Sequence, residues 1–150
     1  MKHLTIATAV LAVATPLAAE NRIDGQADNA PALAAYGEYS VGVRQFEFTN
    51  PGQHDILNTT DAAQPLYDRD ITVEVWYPAA VGTEAGGSYQ AILRDGKTEV
   101  TLTGRAARDA TPASGERFPM VVISHGYPGN RYLLSHLGEN LATKGYVTVS

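Results

Sequence analysis

Residues 118–150 read FPMVVISHGYPGNRYLLSHLGENLATKGYVTVS, and the succession of patterns inside this stretch decides the fold. Pro119 to Ser124 is an apolar run of the kind found in a strand covered on both faces of a parallel sheet. His125-Gly126-Tyr127-Pro128-Gly129-Asn130 is turn chemistry. Leu133, Leu134, Leu137 and Leu141 then recur at three- and four-residue spacing and predict the core stripe of an amphipathic helix. Lys144 suits the end of that helix and Gly145 its C-terminal cap. Tyr146 to Ser150 begins a further buried strand. Strand, turn, helix, strand is a βαβ unit, for which a right-handed crossover is expected.

Upstream, Val41, Val43, Phe46 and Phe48 alternate with polar residues, and Asn50-Pro51-Gly52 predicts a turn that ends the strand. A polar loop runs through Asp55, Asn58, Asp61 and Pro65. The second strand, residues 71–77, sets Ile71, Val73, Val75 and Tyr77 on one face and stops at Pro78. The two strands are expected to pair antiparallel. Residues 79–117 read as an insertion bounded by Gly82, Gly86 and Gly87 on one side and Pro112, Ser114 and Gly115 on the other. Inside it, residues 89–94 and 97–103 flank Asp95-Gly96, which favours a two-residue hairpin turn. Such a hairpin either borders a substrate cleft or decorates the surface, and decoration is the preferred reading.

Several classes are excluded by composition. With 11 Lys and Arg against 16 Asp and Glu, the net charge of −5 argues against nucleic acid as a partner, because phosphate contacts need a basic surface. A hydrophobic content of 44% supplies a core and excludes a disordered acidic tail. The absence of cysteine rules out a disulfide framework, thiolate zinc sites and a Cys nucleophile within these residues. Lys2, the apolar run Leu4 to Val13 and the small residues up to Ala19 describe an export signal over 1–19, cleaved after Ala19. The run is shorter than the roughly 20 residues that span a bilayer, so a secreted or periplasmic protein without an integral membrane segment is expected. Residues 20–35 then form a flexible lead-in to a domain over 36–150. A parallel sheet needs several neighbours and both faces covered, so these residues read as the front of a longer domain.

The turn at 125–130 lies where open α/β sheets bind ligands, beyond the C-terminal end of a strand and ahead of a helix. Three uses are open: a phosphate cradle, an oxyanion-binding turn, or a sharp connection and nothing more. The glycine spacing fits neither the P-loop nor the dinucleotide fingerprint, which disfavours the cradle and gives no reason to expect a nucleotide cofactor. Gly126 and Gly129 allow close backbone approach, and Pro128 has no N–H, which makes the Tyr127 amide the natural donor.

The stretch 123–149, with the upstream segments 41–46 and 69–78, resembles the α/β-hydrolase fold in its dienelactone hydrolase-like and platelet-activating-factor acetylhydrolase-like branch. The resemblance covers about residues 36–78 and 118–150. It implies an α/β architecture in which antiparallel opening strands precede a mostly parallel sheet, incomplete within these residues. The Gly126-Tyr127 pair is also similar to bacterial cutinases and polyester hydrolases, whose corresponding tyrosine offers its backbone N–H to the oxyanion. The resemblance therefore implies an ester hydrolase acting on a small-molecule or lipid ester without cofactor or metal. Tyr127 N–H would be one oxyanion donor, and His125, Gly126 and Gly129 would support the turn. The second donor and the Ser-Asp-His triad would lie beyond Ser150. No G-x-S-x-G occurs in the sequence; Gly86-Gly87-Ser88 lacks the second glycine, and Ser124 and Ser150 end strands. The 150 residues alone are expected to be inactive. Dienelactone-type or polyester hydrolysis is the alternative within enzymes, and a non-catalytic exported binding module or inactive fragment is the alternative outside them.

Other candidates carry blander readings. His125 is expected to bond the turn's own backbone rather than act as a base. His136 is expected to face solvent or the sheet edge, and His54 lies in a loop. Asp55, Asp61, Asp68 and Asp70 lack calcium-loop spacing and read as solvated surface. Asn58-Thr59-Thr60 is a formal glycosylation sequon. The Tyr127 ring is a candidate wall of an acyl pocket, whereas Tyr132 and Leu133 are expected to pack.

Overall fold

The computed structural model describes residues 21–115 and 117–150; the expected leader over 1–19 lies outside the described residues. Strands β1 (Asn21–Arg22), β2 (Val41–His54), β3 (Leu66–Pro78), β4 (Gly87–Ile92), β5 (Glu99–Gly104), β6 (Ala107–Arg108) and β7 (Met120–Val122) precede helix α1 (Ser135–Thr143) and strand β8 (Val147–Val149). Five strands form one sheet in the order β6-β2-β3-β8-β7, and β1-β5-β4 form a smaller one. The β2–β3 pair is antiparallel and β7–β8 is parallel, with α1 as the crossover. This is the expected plan of antiparallel opening strands followed by a βαβ unit.

Asn50-Pro51-Gly52 does not end β2. The pairing shifts register between Asn50 and Gln53 and resumes to His54, so the segment is a bulge inside a long ribbon. Gly52 takes φ +66 there, and its N–H donates to Asp68 Oδ1 at 3.0 Å. A left-handed glycine in a two-stranded ribbon serves a bulge as readily as a turn, which is why the local signal misplaced the strand end.

Residues 21–35 of the expected lead-in make contacts with the rest of the domain. β1 pairs with β5, Ile23 packs against the core, and a 3-10 turn at Ala32–Ala34 offers carbonyls to the end of α1. Asn140 Nδ2 donates to Ala34 O at 2.8 Å, and Lys144 Nζ donates to Leu33 O. Polar composition hid these attachments because they are made through backbone groups.

Alternation sorts the large sheet into two faces. Val43, Trp76, Thr148 and Val121 lie side by side on one, while Phe48, Ile71, Val73, Val75, Val149 and Val122 share the other. Helix α1 and the β4–β5 hairpin cover the first face, and Trp76, Val43, Glu74 and Thr148 are fully buried beneath them. The second face is the one the strand pattern marked as core. Among the described residues it is largely uncovered, with Met120 at 66% and Val122 at 67% exposure.

Helix α1 likewise presents an unexpected side. Its buried residues are Ser135, Gly138, Glu139, Ala142 and Thr143, while Leu133 and Leu137 of the leucine stripe stay exposed. A Cβ on Gly138 would lie 2.7 Å from the Trp76 ring, so the small residue lets the helix seat against the indole. The C-terminus follows the sequence reading: Gly145 has φ +85, and Tyr146 N–H returns to Leu141 O at 3.2 Å.

Residues 79–117 contain the expected hairpin, with Gly87 opposite Gly104 and Ile92 opposite Glu99. Its closing loop is longer than two residues, since Leu93 N–H bonds Thr98 O across the end. Asp95 organises that loop by accepting from Lys97 N, Thr98 N and the Thr98 hydroxyl, which holds its carboxyl down at about 2. At the other end, Glu139 accepts from the Tyr89 hydroxyl at 2.5 Å, Arg105 N at 3.0 Å and Ala106 N at 3.1 Å. Trp76 Nε1 donates to the Tyr89 oxygen at 2.9 Å. Burial, reinforced by the Glu139 charge, pushes the Tyr89 phenol well above its ordinary range. A buried carboxylate with three donors thus joins hairpin, helix and sheet.

Candidate functional site

The turn after β7 begins once Ile123 N–H has made the last ladder bond, to Val149 O at 2.7 Å. Gly129 N–H closes it on Gly126 O at 2.6 Å, and the Tyr127–Pro128 peptide is cis. Of the three apex residues, Gly129 has spent its N–H and Pro128 has none. The Tyr127 N–H makes no hydrogen bond among the described residues. Gly129 is also sterically required, because a Cβ there would sit 2.7 Å from Gly126 O and from the Leu133 side chain. Gly126 is not, since a Cβ at that position meets nothing within 4 Å. His125 Nδ1 lies 3.2 Å from Gly126 O, a contact with the turn's own backbone.

Residues 131–134 form turns, and α1 starts only at Ser135, with Leu134 as an N-cap that makes no side-chain bond. The regular helix therefore begins eight positions beyond Tyr127, and donors near the apex come from the turn itself. Asn130 bridges both sides of the turn. Its Nδ2 donates to Ile92 O at the end of β4 at 2.8 Å, and its Oδ1 accepts from Tyr132 N at 2.9 Å.

Below the turn, Glu74 is completely buried. It pairs with Arg108 from the insertion and with Arg131 Nε at 3.7 Å, and the Tyr132 hydroxyl donates to it at 3.4 Å. Arg131 also reaches Gln45 Oε1 at 3.3 Å and lies over the Tyr132 ring at 4.5 Å. Sequence reading missed Glu74, Glu139 and Asn130. The one available signal was a glutamate between Val73 and Val75 in a strand otherwise rich in apolar residues.

A cleft of about 530 Å³ opens between the turn and the hairpin. Ala91, Val100 and Leu102 of the hairpin, with Ile23 and Leu133, supply apolar lining, and Tyr127, Gly129 and Asn130 border it. The hairpin is therefore a cleft wall and not surface decoration alone. Arg94 and His136 also line the cleft. Tyr132 is buried as expected, whereas Leu133 is half exposed, and the Tyr127 ring points into open space.

The remaining candidates stay away from the cleft. Asp68 and Asp70 accept from Gly52 N and the Thr49 hydroxyl along the ribbon, and Asp55 accepts from Asn58 in the loop at its end. His54 closes β2 opposite Leu66. Among the described residues no three His, Cys, Asp or Glu side chains cluster as metal ligands.

Comparison with known proteins adds to this geometry. A family model described as platelet-activating factor acetylhydrolase, isoform II, matches residues 34–150. The platelet-activating factor acetylhydrolase of Bos taurus is 27% identical over 121 residues, covering 76% of this chain and 26% of that protein. A ferulic acid esterase from Streptomyces cinnamoneus superposes with a TM-score of 0.57 at 22% identity, over 87% of this chain and 36% of that one. The chain thus spans about a quarter of the length of the bovine relative and about a third of the esterase. The superposition supports the α/β-hydrolase fold.

Proposed function

The chain belongs to the platelet-activating factor acetylhydrolase isoform II family, of the α/β-hydrolase fold, and on that premise we propose that it forms the N-terminal part of an exported carboxylic ester hydrolase. A serine beyond Ser150 attacks the ester carbonyl, a histidine takes its proton, and an aspartate orients the histidine. The Tyr127 N–H donates to the oxygen of the tetrahedral intermediate, and a second donor follows the nucleophile. His125, Gly126 and Gly129 support the turn.

One observation carries this reading: the Tyr127 N–H, at the apex of a turn bordering the cleft, makes no hydrogen bond among the described residues; Gly129 has spent its own, and Gly126, likewise unspent, is the less favoured donor. A developing oxyanion rewards a donor already oriented and unpaired, because no internal bond has to break first. The apolar hairpin wall suits a small-molecule or lipid ester with an apolar substituent. Export rests on the leader pattern of residues 1–19, and N-terminal sequencing of secreted protein is expected to begin at Glu20; retention of Met1 would contradict it. Among the described residues no helix is long and apolar enough to cross a membrane.

The test is a pair of substitutions in the protein expressed from its full open reading frame, assayed on an aryl ester. Tyr127→Phe keeps the amide and is expected to leave activity largely intact. Tyr127→Pro removes it and is expected to lower kcat about a hundredfold or more. A collapse with Phe at unchanged stability refutes the backbone assignment. The codons after Ser150 separate the alternatives: G-x-S-x-G supports the serine esterase, a cysteine at that elbow supports dienelactone-type chemistry, and an early stop supports a binding module.

A further inference from the structure

We propose that Asn130 is a positioning residue that fastens the turn carrying Tyr127 to the β4–β5 hairpin, which makes the hairpin part of the active-site machinery. The inference rests on the proposed oxyanion role of the Tyr127 amide. Its basis is a pair of hydrogen bonds whose directions are fixed by their partners. Ile92 O can only accept and Tyr132 N can only donate, so the Asn130 amide has one orientation that satisfies both.

The far end of the hairpin is immobilised independently. Glu139 grips it through the Tyr89 hydroxyl and the amides of Arg105 and Ala106, and Trp76 Nε1 donates to the same Tyr89 oxygen. Gly104 admits this carboxylate, since a Cβ there would collide with both Glu139 oxygens. The hairpin is therefore a strut held by helix and sheet at one end and bonded to the turn at the other. The turn's own bonds are local: Gly129 N–H to Gly126 O and Leu133 N–H to Asn130 O. Neither of these ties the Tyr127 amide to the hairpin wall of the cleft. The Asn130 Nδ2 bond to Ile92 O does, three residues downstream of that amide.

Substitution separates positioning from simple capping. Asn130→Asp keeps an acceptor for Tyr132 N–H and loses the donor to Ile92 O, whereas Asn130→Ala loses both. Each variant, in the protein from the full open reading frame, is assayed on an aryl ester and examined by hydrogen exchange of the peptide covering residues 125–131. A positioning role is expected to lower kcat about tenfold or more in both variants with KM little changed, since misplacing a donor acts on the transition state. Exchange of the turn peptide is expected to rise in both, while the Asp variant keeps the wild-type Tm. Wild-type kcat and exchange in Asn130→Asp overturn the inference and leave Asn130 a cap. If the wild type is inactive, the hydrolase reading fails, and the exchange result still decides whether Asn130 holds the turn.

Discussion

The two faces of the five-stranded sheet differ in chemistry in the opposite sense to their burial. The covered face holds Glu74, Trp76 and Thr148 and receives Glu139 from the helix, yet it is sealed. The face that is largely uncovered among the described residues holds Phe48, Ile71, Val73, Val75 and Val122, with Arg44 opposite Val75. Apolar alternation therefore identifies a face suited to burial, not the face that these residues bury. On the covered side two buried acids are well provided with partners: Glu139 meets three donors, and Glu74 meets two guanidinium groups and a phenol, whereas the Thr148 hydroxyl has no partner among the described residues. Glu74 is held by ion pairs and Glu139 by neutral donors, and in either case removing the acid is expensive because its buried partners stay desolvated.

The largest stability effect is expected at Glu139. Glu139→Ala leaves the amides of Arg105 and Ala106 without their acceptor and is expected to cost about 3–5 kcal/mol. Urea unfolding of the protein from the full open reading frame reads this as a lowered midpoint at unchanged slope. The opposite face supplies the control. Phe48 stacks on Phe46 in the outer ribbon and is 56% exposed among the described residues, and Phe48→Ser is expected to cost less than Glu139→Ala. Similar losses at both positions would break the contrast between the faces.

Much of the architecture was legible in residues 118–150 and 71–77. The strands, the antiparallel opening pair, the hairpin and the Gly145 cap each have a local signature, and each forms. What failed was the choice of partner surface. The stripe Leu133, Leu134, Leu137 and Leu141 promised a core face, but Leu133 and Leu137 stay exposed and Leu134 and Leu141 are half-buried, because the helix seats against the bulk of Trp76 through Gly138, with Ser135, Glu139, Ala142 and Thr143 buried beside it. Gly52 signalled a left-handed residue correctly, while the long pairing of β2 with β3 determined that it serves a bulge.

The site was legible in the same uneven way. The sequence removes Pro128 as a donor because proline has no N–H, and the structure removes Gly129 by spending its N–H, which leaves Tyr127 and Gly126 as the unspent amides of the turn. The Asn130 bond to Ile92 was not legible, since its partner is a backbone carbonyl 38 positions away. A side chain that recognises backbone leaves no complementary residue type in the sequence.

The central claim is that the Tyr127 amide neutralises charge on a reacting carbonyl oxygen. Its most direct test is the crystal structure of the protein from the full open reading frame after inactivation by an organophosphonate ester, whose adduct mimics the tetrahedral intermediate. The expected result is a phosphonyl oxygen about 2.7–3.1 Å from Tyr127 N. An adduct oxygen held by other donors, with Tyr127 N beyond hydrogen-bonding reach, would contradict the account.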